Sequence, residues 1–378
     1  MRTLSYAVVG TGMMGREHVR NLALLAGAGV AAARVDVVID PDGAMRERGA
    51  ALAREHGGAG RAHERLSPEA LAGVDAVVLA SPNHTHAPLL EPLLATDLPI
   101  LAEKPLATTV ADCEALLERL AGRRAPFQVA MEYRWMPPTA RFLERVRAGD
   151  AGRLVTLSIV ERRYPFLDKV GRWNRFAENT GGTLVEKCCH HFDLMRLATG
   201  AEPVRLYASG AMDVNHLDER VDGRRPDILD NAFVVVDFDS GARASLELCM
   251  FADGADPQER LVAIGDRAVV EATVPAPARF RAGDQADRGS VSLRPRDGAG
   301  SVEPIALDPL LDAVGDHLGA TFHQHVAFAR AVLDGAPVEV GAVDGAIAVA
   351  MGAAAEASIR TGRAIEFRAP RGASPVAR

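Results

Sequence analysis

Residues 6–27 read YAVVGTGMMGREHVRNLALLAG, a short apolar run that meets three glycines and then an amphipathic pattern. Gly10, Gly12 and Gly15 follow the G-x-G-x-x-G spacing between a strand-like and a helix-like segment. The first glycine permits a tight turn, the second lets the backbone approach a pyrophosphate, and the third lets helix and strand pack closely. The start of that helix, at Met13 and Met14, faces the phosphates. The stretch predicts the first turn of a dinucleotide-binding Rossmann domain.

A second apolar run, RVDVVIDPD at residues 34–42, ends in Asp40. A carboxylate in this place can accept both ribose hydroxyls of an adenosine, and it repels a 2′-phosphate. No Arg or Ser follows Asp40 directly. The pattern therefore favours NAD over NADP as the cofactor. The alternative interpretation of Asp40 is an ordinary turn residue.

Three further apolar runs follow, and each breaks into polar residues. They are VDAVVLASPNHTHAP at 74–88, LPILAEKPLA at 98–107 and APFQVAMEYRW at 125–135. Strand-like runs that alternate with helical patterns such as ADCEALLERLAG predict a parallel, doubly wound sheet. Because the carboxyl ends of such strands line the ligand crevice, we expect residues 81–86, 103–105 and 131–134 to face the cofactor.

The composition of the chain is that of a soluble globular protein. It has 378 residues, 48% hydrophobic and 25% charged, which suggests two domains. The net charge is −7 without a long basic run, so we do not expect nucleic acid as a partner. We expect no membrane span, because no apolar stretch approaches about 20 uninterrupted residues. The N-terminal run leaves no room for a signal peptide, and four cysteines make no disulfide framework, which favours the cytoplasm.

The pattern changes after about residue 150. Residues 231–251, NAFVVVDFDSGARASLELCMF, and residues 260–273, RLVAIGDRAVVEAT, each read as two strands around a turn. They predict an antiparallel sheet with one covered face. The stretch from Pro275 to about Pro304 reads as a long loop. We divide the chain into a Rossmann domain (1–130), a substrate and oligomerisation α+β domain (131–367) and a disordered tail (368–378).

Residues 184–195, LVEKCCHHFDLM, place acid, lysine, cysteine and histidine side by side. Thr183 with Glu186 three residues later matches a capping box and predicts a helix to about Ala198. Glu186 and His190 then lie one turn apart on one face, where a carboxylate and an imidazole can tune each other for proton transfer. The alternatives are that Glu186 only caps the helix and that His190 is a core histidine.

Metal binding is the weaker interpretation of the same segment. Adjacent cysteines on a helix, Cys188 and Cys189, point about 100° apart and cannot easily chelate one ion. No CxxC or HxxxH pattern lies nearby. We expect no metal, and we interpret the two thiols as buried structural groups.

These motifs together resemble those of the glucose–fructose oxidoreductase / inositol dehydrogenase / rhizopine catabolism (Gfo/Idh/MocA) oxidoreductase family. The similar segments are GTGMMG, SPNHTHAP, EKP, the Gly-Gly pair before a helix with acid-x3-His-x2-Asp, and the closing TGRAIEF. The resemblance covers nearly the whole chain. It implies a Rossmann domain, an α+β domain with a large open, mainly antiparallel sheet, and NAD(P)-linked oxidation of a polyol or sugar hydroxyl. It also implies a homodimer or homotetramer formed through that sheet.

The resemblance also assigns roles to residues. Lys104 stands beside the nicotinamide, Glu186 stands where an acid is expected, and His190 is the proton-transfer histidine. The implied cofactor-binding residues are Gly10, Gly12, Met13, Met14, Gly15, Asp40, Ser81, Asn83, His86, Glu103, Lys104, Trp173 and Arg175. Candidates for substrate binding are Glu132, Arg134, Tyr164, His191 and Asn231. The chain departs from the family by Glu instead of Asp at 186 and Cys instead of Gly at 188, which leaves the substrate open.

The expected reaction is hydride transfer from a secondary hydroxyl of a cyclitol or sugar to NAD. His190 takes the hydroxyl proton, and Lys104 stabilises the developing alkoxide with a pKa lowered by burial and neighbouring charge. One alternative is a redox-neutral enzyme that retains its NAD, such as an epimerase, a sugar–sugar hydride exchanger or an oxidative glycoside-cleaving enzyme. Another is a non-catalytic, dinucleotide-sensing regulator.

Overall fold

A six-stranded parallel sheet with helices on both faces forms the first half of the chain. The structure, a computed structural model, describes residues 2–281, 283 and 288–373. The strands of this sheet are β1 (Thr3–Val9), β2 (Ala32–Ile39), β3 (Arg61–His63), β4 (Ala76–Leu79), β5 (Ile100–Glu103) and β6 (Phe127–Ala130). Their order is β3-β2-β1-β4-β5-β6, the doubly wound Rossmann arrangement that the sequence predicts. The helices are α1 (Met13–Ala23), α2 (Gly43–Glu55), α3 (His86–Leu94), α4 (Val110–Leu120) and α5 (Pro137–Arg147).

The second half forms a nine-stranded sheet in the order β14-β13-β12-β11-β7-β10-β9-β8-β15. Its strands are β7 (Leu154–Arg162), β8 (Pro203–Ala211), β9 (Asn231–Phe238), β10 (Arg243–Cys249), β11 (Glu259–Gly265), β12 (Ala268–Val274), β13 (Gly289–Pro295), β14 (Ser301–Ile305) and β15 (Ile365–Glu366). Every neighbouring pair is antiparallel except β7 with β10. Both predicted hairpins, β9–β10 and β11–β12, are confirmed.

Helices cover one face of the second sheet and connect it to the first. They are α6 (Ala177–Thr180), α7 (Thr183–Glu186), α8 (Cys189–Thr199), α9 (Pro309–Val314), α10 (Ala320–Asp334) and α11 (Ala342–Thr361). The opposite face carries the alternating exposed residues of β8, β9 and β10. An open sheet with one covered face is therefore present, as the resemblance implies.

Two predictions about local structure are wrong. The stretch from Pro275 to Pro304 is not one long loop, because β13 and β14 pair antiparallel within it. The helix expected from Thr183 to Ala198 is two segments, α7 and α8, interrupted at residues 187 and 188. The expected capping box is also absent, since the Thr183 hydroxyl donates to the carbonyl of Leu229 at 2.8 Å.

The chain crosses back to the first sheet after β14, before it adds the last strand, β15, to the second sheet. Phe322 and Phe328 of α10 join the cluster formed by Leu4, Tyr6 and Val8 of β1. The division near residue 130 stays a prediction. Of the expected tail, Arg371 forms an ion pair with Glu114 on α4, and residues 374–378 lie outside the described part.

By length and composition alone, the 20-residue helix α11 could cross a membrane, with a mean hydropathy of 1.4. In the structure it packs against α4, α7, α8 and β8, and more than half of it is buried. A core helix of a soluble protein has the same properties, so this helix is weak support for a membrane span. The expectation of no membrane span stays a prediction.

Candidate active site

The glycine-rich turn after β1 has the geometry that a dinucleotide requires. Gly10 has φ +87°, and a Cβ there would lie 2.6 Å from the nitrogen of Ser81. A Cβ on Gly15 would lie 2.0 Å from the carbonyl oxygen of Gly10. Next to Gly12 a Cβ would meet no described atom within 4 Å, so the backbone there is open. Helix α1 begins at Met13 without a side-chain cap, which leaves its first N–H groups for an anion.

Asp40 lies at the carboxyl end of β2, beside this turn. Its carboxylate accepts hydrogen bonds from the nitrogen and hydroxyl of Thr11, at 2.8 and 3.0 Å, and from the nitrogen of Asp42 at 2.9 Å. Arg46 donates to the carbonyl oxygen of Asp40 at 2.7 Å. The carboxylate is thus held at the place where an adenosine ribose meets the strand end in Rossmann domains.

The loop after β4 brings Ser81, Asn83 and His86 to the same edge. The ring nitrogens of His86 lie 2.7 Å from the carbonyl oxygen of Pro105 and 3.1 Å from that of Ser81. Burial lowers the pKa of His86 against the opposing effect of these two carbonyls, and the ring lies between two loops of the crevice. The side-chain nitrogen of Asn83 is buried and has no partner among the described atoms, so it is available to a ligand.

The segment after β5 brings Lys104 to the second domain. Its Nζ donates to the main-chain carbonyl of Glu186 at 3.2 Å. Burial alone would lower the pKa of Lys104, but Cys189, Glu132 and Glu186 outweigh burial and raise the pKa above 10.5. The expected lowering of this pKa is therefore wrong, and Lys104 stays a charged hydrogen-bond donor. Its neighbour Glu103 contacts His18 at 2.8 Å.

The side chain of Glu186 contacts Lys169, one of the three lysines of the chain. Glu186 Oε1 lies 3.4 Å from Nζ of Lys169, while Oε2 is buried without a partner within the described chain. Burial lowers the pKa of Lys169, and the nearby Lys104 cation lowers it further against the opposing effect of Glu186. Lys104 at the main-chain carbonyl and Lys169 at the carboxylate thus meet at one residue, Glu186, although the two lysines lie 65 positions apart in the printed sequence.

His190 lies near this group, but its contact is with Glu132 and not with Glu186. His190 Nε2 is 3.5 Å from Glu132 Oε1, and the ring of Tyr133 stacks on the imidazole at 4.1 Å and 8°. Burial, followed by the cations Lys104 and Lys187, lowers the pKa of His190 well below 6.5. The imidazole is therefore neutral near pH 7 and able to accept a proton.

Two substrate-binding candidates lie in ion-pair networks. Arg134 binds both carboxylate oxygens of Asp193 at 2.5 Å, and it lines a cleft of about 1060 Å³ together with Pro126 and Phe127 at the start of β6. The substrate contact expected of Arg134 stays a prediction. His191 Nε2 lies 3.2 Å from Glu161, and its ring is nearly perpendicular to that of Tyr133 with the centroids 5.8 Å apart.

Two further candidates are Tyr164, which follows β7, and Asn231, the first residue of β9. Tyr164 stacks on Phe280 at 3.6 Å and lines a small cavity together with His317. Asn231 donates to Asp213 at 2.8 Å and to Asp230 at 2.9 Å at the start of β9. No described contact joins Asn231 to Lys104, so its expected role has no geometric support.

The loop after β7 carries the two residues expected to reach the dinucleotide. Trp173 meets His84, from the loop after β4, with ring centroids 6.0 Å apart, and Lys169 lies over its ring at 4.8 Å. Trp173 is therefore at the crevice. Arg175 is buried and pairs with Asp168 and Glu219, which hold its guanidinium inside the loop.

The four cysteines are free, and Cys188 and Cys189 are fully buried, as expected for structural thiols. Burial raises the pKa of Cys189 to about 12. Within residues 2–281, 283 and 288–373, no group of three or more His, Cys, Asp or Glu side chains could hold a metal ion. Lys169, Tyr133 and His317 also contact residues of the candidate site, and the sequence reasoning did not assign them to it. Only Lys169 had a signal, as one of three lysines in the chain.

The fold and the crevice define a two-domain oxidoreductase with a nicotinamide-binding Rossmann domain. The description "oxidoreductase family, NAD-binding Rossmann fold" matches residues 4–131, and "oxidoreductase family, C-terminal alpha/beta domain" matches residues 144–367. The chain belongs to the Gfo/Idh/MocA oxidoreductase family, which confirms the resemblance.

Several relatives match over almost the whole chain. Inositol 2-dehydrogenase 1 of Saccharopolyspora erythraea is 32% identical over 357 residues, 90% of this chain and 98% of that protein. Inositol 2-dehydrogenase of Rhizobium meliloti is 27% identical over 97% of this chain and 99% of that protein. A similar fold occurs in levoglucosan dehydrogenase in complex with NADH, with TM-score 0.81, 18% identity and coverage of 97% and 100%. It also occurs in myo-inositol dehydrogenase from Corynebacterium glutamicum, with TM-score 0.72, 22% identity and coverage of 97% and 99%.

Proposed function

We propose that this protein oxidises a secondary hydroxyl of a cyclitol or a sugar with NAD as the hydride acceptor. The observation that carries the proposal is the convergence of Lys104, Glu186 and His190 at the carboxyl edge of the Rossmann sheet. They supply a fixed cation, a carboxylate and a neutral base at one place. The relatives named inositol 2-dehydrogenase support a cyclitol as the substrate class.

The chain's own residues divide the chemistry between them. Bound nicotinamide supplies a carbon that accepts the hydride and its electron pair. His190 takes the hydroxyl proton on its free imidazole nitrogen, because burial keeps it neutral. Lys104 stays charged and donates a hydrogen bond to the oxygen as negative charge develops there. Glu186, held by Lys169, accepts a hydrogen bond from a neighbouring hydroxyl of the substrate. The product is the corresponding ketone.

The cofactor in this proposal is NAD, held by the turn at Gly10–Gly15, by Asp40 and by the loop at 81–86. Asp40 supports NAD, because its carboxylate would repel a 2′-phosphate. Two nearby cations work against this choice: Arg46 donates to the carbonyl of Asp40, and Arg16 donates to that of Thr11. Dissociation constants for NAD and NADP, with wild type and Asp40→Ala, decide the point. Tighter binding of NADP by the wild type would contradict it.

The proposal is tested by the absorbance of reduced nicotinamide with NAD and a panel of cyclitols, aminocyclitols and aldoses, beginning with myo-inositol. The protein is first examined for dinucleotide retained through purification. Reduction of NAD by one substrate class supports the dehydrogenase. If no substrate changes the absorbance and the purified protein already holds dinucleotide, the dehydrogenase is contradicted in favour of the redox-neutral reaction. If no substrate changes the absorbance and the protein has no affinity for the cofactor, the assignment of the crevice is contradicted.

We also infer that two copies pair through the open face of the nine-stranded sheet. Tyr207 on β8 and Phe233 and Val235 on β9 point out of this face with 47%, 62% and 46% of their surface exposed. Tyr207 lies directly opposite Val235 in the register, so the apolar side chains form one patch. Such patches mark protein–protein contacts in soluble proteins.

A further inference from the structure

His190 is too deeply buried to release a proton directly to water. Its side chain is 2% exposed. In the proposed function, on which this inference rests, each oxidation breaks one O–H bond and leaves one proton on this imidazole. The hydride leaves with the electron pair of the C–H bond, so the proton is the only product that His190 itself must pass on. A route from His190 to solvent is therefore needed for the next turnover.

A line of polar groups runs from His190 towards the surface. His190 Nε2 is 3.5 Å from Glu132 Oε1, and the same Glu132 oxygen is 3.5 Å from His317 Nε2. Side-chain exposure rises along this line, from 1% at Glu132 to 19% at His317. The other ring nitrogen of His317 lies 3.2 Å from Glu17 on α1.

The line is assembled from separate parts of the fold. Glu132 begins the 3-10 turn after β6, and His317 lies in the segment between α9 and α10. Glu17 receives a hydrogen bond from the hydroxyl of Thr321 at 2.7 Å, which fixes the carboxylate that faces His317. Oε2 of Glu132 is buried and has no partner among the described atoms. A buried carboxylate between two imidazoles, with a lone oxygen to spare, is an arrangement suited to accepting a proton.

We propose that Glu132 and His317 form a relay that carries the substrate proton from His190 to solvent. The N–H bond on His190 breaks as an O–H bond forms on Glu132. His317 loses a proton to water or to a buffer base. The proton on Glu132 then moves to Nε2 of His317. Each gap of 3.5 Å is longer than a hydrogen bond, so the proton crosses after a small approach of the groups or through one water.

The charges around the relay are consistent with this order. Burial alone would lower the pKa of His317, but Glu132 and Glu17, together with Asp316, raise it to about 9. Burial raises the pKa of Glu132, as does Glu103, against the opposing charges of His317 and Lys104. His317 therefore carries its proton at neutral pH. A group that holds a proton this firmly passes it to a buffer base more readily than to water, so turnover depends on the buffer.

The rival role is purely structural, in which His317 only pins its segment to Glu17. The two roles differ in the response to imidazole added to the solution. A small diffusible base can replace a missing relay group, but it cannot repair a displaced segment. The rate of the first hydride transfer separates them as well, because it precedes proton release.

The experiment compares wild type with His317→Gln, which keeps a hydrogen-bond donor but cannot titrate, and with His323→Gln as the control on α10. The probe is the polyol that wild type oxidises fastest in the panel, beginning with myo-inositol. We measure kcat against imidazole concentration at fixed pH and ionic strength, and the first hydride transfer by stopped flow. At low imidazole kcat of His317→Gln is expected to fall by about tenfold or more. Imidazole should restore it, while the first hydride transfer stays unchanged.

The outcomes are distinct. If kcat of His317→Gln equals that of wild type at the lowest imidazole concentration, the relay is overturned. If kcat falls, imidazole does not restore it and the first hydride transfer slows, His317 is structural and the relay is likewise overturned. Glu132→Gln, which blocks the middle of the route, should lower kcat without rescue. Wild type that oxidises no polyol overturns the proposed function, and the relay with it, whereas an active wild type with an unaffected His317→Gln overturns the relay alone.

Discussion

Lys104 is a residue whose charge is set by the second domain. Its ammonium touches the carbonyl of Glu186, and the groups from both domains keep its pKa above the ordinary value. A lysine that keeps its proton cannot act as the base, so it serves as an electrostatic partner of the reacting oxygen.

We predict that Lys104→Met folds and binds NAD but loses turnover by about 10²–10³-fold, the usual effect of removing one such donor. The thioether side chain fills the same space without charge. Steady-state kinetics give the loss, and NAD titration with thermal unfolding provides the control for folding and cofactor affinity. Near-wild-type turnover would show that Lys104 has been placed wrongly in the site.

At this scale the sequence predicts groups that lie in recognisable motifs and misses groups brought together by loops. Lys104 follows β5 in an EKP segment and His190 follows a Gly-Gly pair, and the family resemblance of these motifs indicates both residues. Lys169 and His317 lie in irregular segments with no periodicity, and only the tertiary structure brings them to Glu186 and Glu132. The ion pair of Arg134 could not be predicted for the same reason, since its carboxylate partner Asp193 lies 59 positions away.

Lys187 occupies the interruption between α7 and α8, which the capping pattern did not predict. Its Nζ lies 2.9 Å from Glu161 of β7, and it donates to the hydroxyl of Tyr133. Glu161 faces Glu259 directly across the β7–β11 pair, so two buried carboxylates share this region. Long-range charge pairing of this kind overrides a local helix signal, because an unpaired buried charge costs more than a helix cap contributes.

We predict that Lys187→Met lowers the free energy of unfolding by about 3 kcal/mol, because it removes one cation from the buried Glu161, beside which Arg163 and His191 remain. Urea unfolding of this variant, of Glu161→Gln and of the double variant forms a double-mutant cycle. The double variant should recover at least about 1 kcal/mol relative to Lys187→Met. Strict additivity of the two single effects would contradict the pairing.

The hairpin β13–β14 illustrates the same limit for strands. Its segment is interrupted by Pro, Gly and Asp, which are typical of loops, yet five residue pairs align across it. The strands form because β13 pairs with the edge of β12. This pairing joins distant parts of the sequence, so a local pattern cannot predict it. The two hairpins with alternating apolar residues, by contrast, were predictable from the sequence.

At the scale of the whole molecule, acid sensitivity depends on histidines that fold in the neutral form. His325 on α10 is fully buried, and burial, followed by the nearby His18, lowers its pKa well below 6.5. As the pH falls through about 6.5, the unfolded chain binds a proton at this position that the folded chain does not bind. The free energy of unfolding therefore decreases as the pH falls.

We predict that wild type loses about 1.5 kcal/mol more stability than His325→Asn between about pH 6.5 and pH 5. Chemical unfolding at several pH values measures the difference. His56→Asn, a change at an exposed histidine on the Rossmann surface, should leave the pH dependence of wild type unchanged. If the free energy of unfolding changed equally with pH in wild type and His325→Asn, His325 would be protonated in the folded state.

The pairing of two copies is also a property of the whole molecule. We predict that Phe233→Glu, which places a charge in the apolar patch of β8 and β9, yields a monomer by light scattering after size exclusion. Leu310→Glu on α9, an equally exposed apolar position outside the nine-stranded sheet, is the matched control and should keep the wild-type assembly. A monomeric wild type would contradict the inference.

The return of α10 to β1 has a consequence for how this chain can be divided and recombined. Phe322 and Phe328 complete the apolar cluster around Leu4 and Tyr6, so an excised segment ending near residue 131 would present that cluster to water. A chimera that exchanges cofactor preference between relatives must therefore carry both the amino-terminal half and the stretch from 309 to 334. The segments that must be exchanged together to transfer nicotinamide binding are therefore not contiguous in the sequence. Recombination at a single crossover point near residue 131 would separate them.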